Sequence, residues 1–228
     1  MDVCAIVLAA GRGLRLKSRT PKPLVKINSR PLVIYSLAVL NKHPDIKDII
    51  LVVNDSSGSQ ILKHIKRYRI GKIRRVVKGG RRRQDSVFCG LSAVARKTGM
   101  VLIHDAARPF IDSKTVSSVI KEAKLRGAAI AGVPVKATIK RVKGLRVIET
   151  PDRKDLWEIQ TPQAFKKELL LRAYDKFGES DATDDAMLVE RAGARVSVVP
   201  GSYDNIKITT PEDLAVAEAL LKLRNKNR

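Results

Sequence analysis

The feature that most constrains this chain is a repeated alternation. Short apolar runs rich in β-branched residues take turns with segments whose apolar residues recur at helical spacing. The runs 3–8, 49–53, 73–77, 100–103 and 128–133 read as strands, and 31–42, 57–68, 85–96 and 113–126 as helices. Strands that are apolar on both faces belong to a parallel sheet covered on both sides. The expected fold class is therefore α/β, a mostly parallel, twisted sheet with helices on both faces. In such sheets ligands bind beyond the carboxyl ends of the strands. Three motif-like stretches fall there: AAGRG after the first run, GGRRRQDS after the third and HDAARPF after the fourth.

The alternation breaks at Lys136. Residues 138–141 and 145–149 read as two short polar strands around Lys143-Gly144, a hairpin with no clear apolar face. Such a hairpin is marginal alone, so it must pack on the body or on another subunit. Residues 136–156 are read as a dimerisation arm. Beyond it, 155–160, 166–176 and 183–191 read as helices and 195–199 as a late strand. Residues 211–224 read as a terminal helix with Thr210 as its N-cap and Glu212 and Asp213 in its first turn. No Pro/Gly/Ser-rich linker or composition break divides the 228 residues, so a single domain spanning 1–228 is expected.

The formal net charge is +22, which attracts polyanions: nucleotides, phosphorylated metabolites or nucleic acid. The densest basic run, 63–83, includes KHIKRYRIGKIRR, which reads as a solvated face. Only four Phe, four Tyr and one Trp are present, scattered and without a recognisable module, which argues against nucleic acid as partner. No apolar run approaches the roughly 20 residues needed to span a bilayer, and the start has no signal-peptide layout. Cys4 and Cys89 are isolated and read as small apolar filler in a reducing compartment. A cytoplasmic protein without membrane or nucleic-acid partner is expected.

The first loop, 9–22, reads AAGRGLRLKSRTPK. Gly11 and Gly13 permit torsions that aim backbone N–H groups at a phosphate chain. Arg12, Arg15, Lys17, Arg19 and Lys22 add cations. This is no P-loop, because Lys17-Ser18 follows Leu16, and no dinucleotide fingerprint, because Leu16 takes the place of the third glycine. Asp105, just past a strand, suits Mg²⁺, and Arg108 suits a second anion; a local Asp105–Arg108 ion pair is the alternative. His104 reads as a structural hydrogen-bonding residue. In GGRRRQDSV, Ser86 and the helix N-terminus suit a base, sugar or phosphate, with a helix cap by Asp85 as the alternative. TPDR and QTPQAF read as proline-pinned turns. Lys207 precedes the terminal helix. No Ser/His/Asp or Cys/His nucleophile set and no zinc spacing is present. Cations, one or two carboxylates and a glycine loop serve phosphoryl-type transfer, where positioning and charge neutralisation carry most of the catalysis.

Taken in order, AAGRGLR, PK, GGRRRQDSV, HDAARPF, PVKATIK, PDRKDLW, QTPQAF, TDDA and NIKITTPEDL resemble the 2-C-methyl-D-erythritol 4-phosphate cytidylyltransferases over 3–221. The resemblance implies a Rossmann-like nucleotidyltransferase with a protruding β-hairpin arm. It also implies a homodimer through a swapped arm, CTP and methylerythritol phosphate as substrates, and Mg²⁺ as cofactor. By motif match, Arg15, Lys22, Lys207 and Arg153 are the catalytic cations. Ala9, Ala10, Gly11, Gly13, Gly80, Arg83, Ser86, Asp105 and Ala106 form the nucleotide cradle. Asp105, Arg108, Thr138, Arg153 and Thr161 form the substrate site, with Thr138 and Arg153 arriving on the partner's arm. Asp105 is the metal contact. Two positions depart from the pattern. Pro23 follows Lys22 where PKQ is usual, and Arg81 replaces an acidic residue, so that base recognition leans on backbone groups. Cytidylyl transfer to another polyol phosphate, such as ribitol 5-phosphate, and a basic nucleic-acid-binding module are the competing readings.

Overall fold

A computed structural model describes residues 1–11 and 13–226; Arg12, one of the expected loop cations, lies outside the described residues. The alternation is realised as β1 (Val3–Ala9), a minor pair β2 (Lys26–Ile27) and β3 (Arg30–Pro31), α1 (Leu32–Lys42), β4 (Ile46–Val53), α2 (Gly58–Arg67), β5 (Ile73–Lys78), α3 (Arg83–Ser92), β6 (Met100–Asp105), α4 (Ser113–Arg126) and β7 (Ala128–Pro134). The second half adds β8 (Arg141–Lys143), β9 (Arg146–Glu149), β10 (Trp157–Lys166), α5 (Lys167–Phe177), α6 (Asp185–Arg191), β11 (Ser197–Pro200) and α7 (Pro211–Lys226).

Seven strands form the main sheet in the order β11-β7-β10-β6-β1-β4-β5. All neighbours are parallel except β10, which runs antiparallel between β6 and β7. Successive residues of β1 serve opposite faces. Val3, Ala5 and Val7 join the core under α1, α2 and α4, while Cys4 and Ile6 join the core under α3, α5 and α6. That two-sided burial is why the run is uniformly apolar. From β1 the chain builds outward to β4 and β5, then returns to place β6 on the other side. The strand order thus reverses between β1 and β6, where an open α/β sheet has its ligand crevice. A third apolar cluster joins Leu16 of the first loop, Ile27, Phe110, and Ile208 and Ala217 near the chain's end. This cluster ties the first loop to the segment that carries Lys207. No helix among the described residues is long and apolar enough to cross a membrane.

Four expectations need correction. Residues 155–160 are not helical: a short 3₁₀ turn, Arg153–Asp155, leads into β10, which also absorbs the QTPQAF stretch expected to be a turn. Pro162 is tolerated in a central strand because the ladder with β7 is interrupted between Ile159 and Gln163, so no bond is asked of it. The hairpin turns one residue later than expected, with Gly144 and Leu145 both at positive φ, 52° and 62°, as a tight two-residue turn requires. At the start of α7 the capping acceptor is the Asp213 carboxylate, which takes the N–H groups of Thr209 (2.7 Å) and Thr210 (2.8 Å).

Candidate active site

The first loop leaves β1 and brings its backbone against Lys22. Gly13 sits at φ 66°, and a Cβ there would lie 2.6 Å from the Lys22 Cβ. Glycine is therefore what lets the lysine stem lie against the loop. Lys22 opens a 3₁₀ turn, Lys22–Leu24, anchored by buried Pro23 and Leu24. Burial, then the nearby Lys207 ammonium, push the Lys22 pKa down to about 8. Arg15, on its own short turn, is exposed and adds to that repulsion.

The second wall follows β5. A Cβ on Gly79 would meet the Ala10 Cβ at 2.5 Å, so this glycine lets the two loops touch. The Ser86 hydroxyl accepts the Gly80 N–H (3.1 Å) and donates to the Arg82 carbonyl (3.2 Å). Asp85 also caps α3, accepting the Arg82 N–H at 2.9 Å. Asn54, directly after β4, donates to the Ala10 carbonyl at 3.2 Å and braces the first loop from behind. Its place at a strand's carboxyl end was the signal that sequence reading passed over.

Asp105, the last residue of β6, joins these walls. Arg83 Nε donates to Oδ1 at 3.1 Å and Lys207 Nζ to Oδ2 at 2.6 Å. Burial opposes its charge, but Arg83 and Lys207 outweigh burial and hold the carboxyl below its usual range. Its backbone N–H donates to Thr161 Oγ1 (3.1 Å), which lies 3.1 Å from His104 Nδ1. His104 Nε2 faces the Arg108 carbonyl at 3.2 Å, which only accepts, so the bonding assigns the imidazole proton to Nε2. Burial pushes the His104 pKa down to about 4. The histidine is thus a neutral strut, in keeping with the structural role expected for it. The local Asp105–Arg108 pair is not formed. Arg108 instead donates to the carbonyls of Asn205 (2.7 Å) and Ile159 (3.4 Å), and its buried Nε has no partner.

Two cavities meet at Asp105, and Arg83, Asp105 and Lys207 line both. The larger, about 1060 Å³, is also walled by Ala9, Ala10, Gly11, Lys22, Gly80, Ser86 and Ala106. The smaller, about 570 Å³, also takes in Arg108 and Thr161. Gly13 and Arg15 stand behind Lys22 and line neither. Thr138 and Arg153 are exposed on the arm and also line neither, and Arg153 donates to the Lys136 carbonyl at 2.7 Å. Arg19, one of the expected loop cations, lines the larger cavity, and Asn54, Asp55, Lys78 and Arg82 line it without having been expected in the site. Among the described residues no cluster of three or more His, Cys, Asp or Glu side chains offers an all-protein metal cage. One ionised carboxylate does suit Mg²⁺, which takes its remaining ligands from water and substrate phosphates.

A sheet with its crevice at the strand-order reversal, lined by a glycine loop and converging cations, defines a nucleotidyltransferase. The sequence profile of 2-C-methyl-D-erythritol 4-phosphate cytidylyltransferase (IspD) matches residues 3–223, and the chain belongs to that family. A Syntrophus aciditrophicus protein of that name is 48% identical over 224 residues, with 96% of each chain covered. One from Halalkalibacterium halodurans is 42% identical over 223 residues, with 97% of each covered. The crystal structure of 4-diphosphocytidyl-2C-methyl-D-erythritol synthase from Anaerococcus prevotii superposes with a TM-score of 0.87 at 35% identity, covering 97% of this chain and 96% of that one.

Proposed function

We propose that this enzyme transfers a cytidylyl group from CTP to 2-C-methyl-D-erythritol 4-phosphate in isoprenoid biosynthesis, giving 4-diphosphocytidyl-2-C-methyl-D-erythritol and pyrophosphate. One observation carries the reading: Lys22 and Lys207, from opposite ends of the chain, converge on a single cleft at Asp105. The acceptor's phosphate oxygen forms a bond to the α-phosphorus while the bond to the departing pyrophosphate oxygen breaks in line. No covalent enzyme intermediate is needed, because the attacking phosphate is already an anion. Lys22 and Lys207 neutralise the charge that develops, joined by Arg15 from beside Lys22 and by Arg153 from the arm of a second copy.

Ala9, Ala10, Gly11, Gly80, Arg83, Ser86, Asp105 and Ala106 cradle the nucleotide, and Gly13 shapes the loop that seats Lys22 beside it. Arg108 and Thr161, on the far side of Asp105, serve the acceptor. Asp105 would hold Mg²⁺, whose contribution when bound is further neutralisation of the triphosphate. The chain acts as one nucleotidyltransferase domain, and residues 136–156 form an arm that carries Thr138 and Arg153 into the cleft of a second copy. Exposed Val142, Leu145, Val147 and Ile148 on that arm support a partner surface. The free thiols of Cys4 and Cys89 suit a reducing cytoplasm.

The test is pyrophosphate release with each of the common nucleoside triphosphates against a panel of polyol phosphates. The reading expects CTP with methylerythritol phosphate to exceed every other pair. A preference for ribitol 5-phosphate, or release that ignores the acceptor, would refute it.

A further inference from the structure

We infer that Tyr174 and Asp185 are positioning residues for the transfer. They hold Arg83 to a single contact with Asp105 and so keep the second Asp105 oxygen for Lys207. The inference rests on the cytidylyl-transfer reading. An arginine beside a lone carboxylate tends to engage both oxygens with two parallel N–H groups. Arg83 does not. Its Nε reaches Asp105 Oδ1, while its Nη1 is drawn the other way to Asp185 Oδ2 at 2.8 Å. The Asp105 oxygen left over takes Lys207.

Asp185 is fully buried at the start of α6, and a buried carboxylate needs every lone pair served. Tyr174 of α5 supplies the second bond, its hydroxyl donating to Asp185 Oδ1 at 2.6 Å. The Tyr174 ring stacks on Phe88 of α3 with centroids 5.8 Å apart, which fixes the hydroxyl's direction. Neither Tyr174 nor Asp185 lines either cavity, so each acts through Arg83 rather than on substrate.

The segment before Asp185 is clamped independently. Gln84 Nε2 donates to the carbonyls of Gly178 (2.7 Å) and Ser180 (2.8 Å), and Gln84 Oε1 accepts the Ala182 N–H (3.1 Å). Removing the Asp185 charge therefore leaves the segment in place. What it releases is Arg83, which then closes both N–H groups onto Asp105 and displaces Lys207 from Oδ2.

Two variants of the full chain test this. Asp185→Asn keeps the size and removes the charge; Tyr174→Phe keeps the ring and removes the donor. Per folded protein, kcat is expected to fall about tenfold in Asp185→Asn and about threefold in Tyr174→Phe, with KM for the acceptor held within about twofold. In an Arg83→Gln background either change is expected to move kcat by less than about twofold, because its route runs through Arg83. Wild-type kcat in the folded variants overturns the inference, as does an undiminished loss in the Arg83→Gln background. Should Asp185→Asn fail to fold, Tyr174→Phe decides by the same two criteria. Wild-type protein is assayed alongside. Its failure to turn over would overturn the transfer reading and this inference together, whereas an active wild type with unaffected variants overturns the inference alone.

Discussion

The cleft and the arm use the same kinds of residue and are held in opposite ways. At the centre of the cleft the charges are fixed from inside the chain: Asp105 is buried between Arg83 and Lys207, and Arg83 is drawn in turn toward buried Asp185. In the arm, β8 and β9 pair with each other alone and are exposed along their whole length, with Leu145 99% exposed at the turn. An exposed ion pair, Arg141 with Glu149, spans it and is worth at most about 1 kcal/mol. Preorganisation in the cleft is intrinsic, whereas the arm depends on what it packs against. Changes in the cleft should therefore abolish chemistry without unfolding. Changes in the arm should be repairable by a second copy.

The largest effect is expected in the cleft. Lys22→Ala and Lys207→Ala should each lower kcat by about 10² to 10³, with the circular dichroism spectrum and melting temperature near wild type. Near-normal turnover by either folded variant refutes the assigned role. The arm sharpens the contrast. Arg153→Ala should be nearly inactive alone, yet mixing it in equal amounts with inactive Lys22→Ala should restore about a quarter of wild-type turnover. Half of the subunits then pair as heterodimers, and each heterodimer holds one site with an intact cleft and an intact arm. If the mixture stays inactive after subunit exchange has been verified, the arm does not cross between copies.

Much of this was legible in the chain. Apolar runs buried on both faces announce a parallel sheet by their composition, and the loops at their carboxyl ends announce the crevice. β10 was not legible, because its polar residues and Pro162 contradict a central strand on local grounds. Its stability is tertiary: Gln160 bonds Asn205 (3.1 Å), Thr161 bonds Asp105 and His104, and the broken ladder excuses the proline. The Arg83–Asp185 pair was hidden for a similar reason, since 102 residues separate its members. The clustering of Lys22 and Lys207 was expected only through family resemblance; the apolar cluster of Leu16, Ile27 and Ile208 is its physical cause.

A smaller effect follows from the Lys22 pKa of about 8, set by burial and then by Lys207. The ammonium is charged below that pH and neutral above it. The kcat/KM of free enzyme should therefore fall as pH rises through about 8, and a flat profile from pH 7 to 9.5 would contradict the placement of Lys22. Linkage gives the matching sign for stability. The folded-state pKa lies below the ordinary lysine value of 10.5, so the unfolded chain binds more protons between the two values. This group alone makes stability rise with pH across that window. The smallest effect is expected at Thr161→Val, which strands the Asp105 N–H and His104 Nδ1. Urea unfolding should report a loss of about 1 to 3 kcal/mol.

The most direct test follows phosphorus by NMR while purified enzyme turns over CTP with methylerythritol phosphate and Mg²⁺. The account predicts that a diphosphate diester and pyrophosphate appear in equal amounts, and that with Lys22→Ala both appear at least about a hundredfold more slowly. Release of inorganic phosphate, or consumption of CTP without the diester, would contradict it.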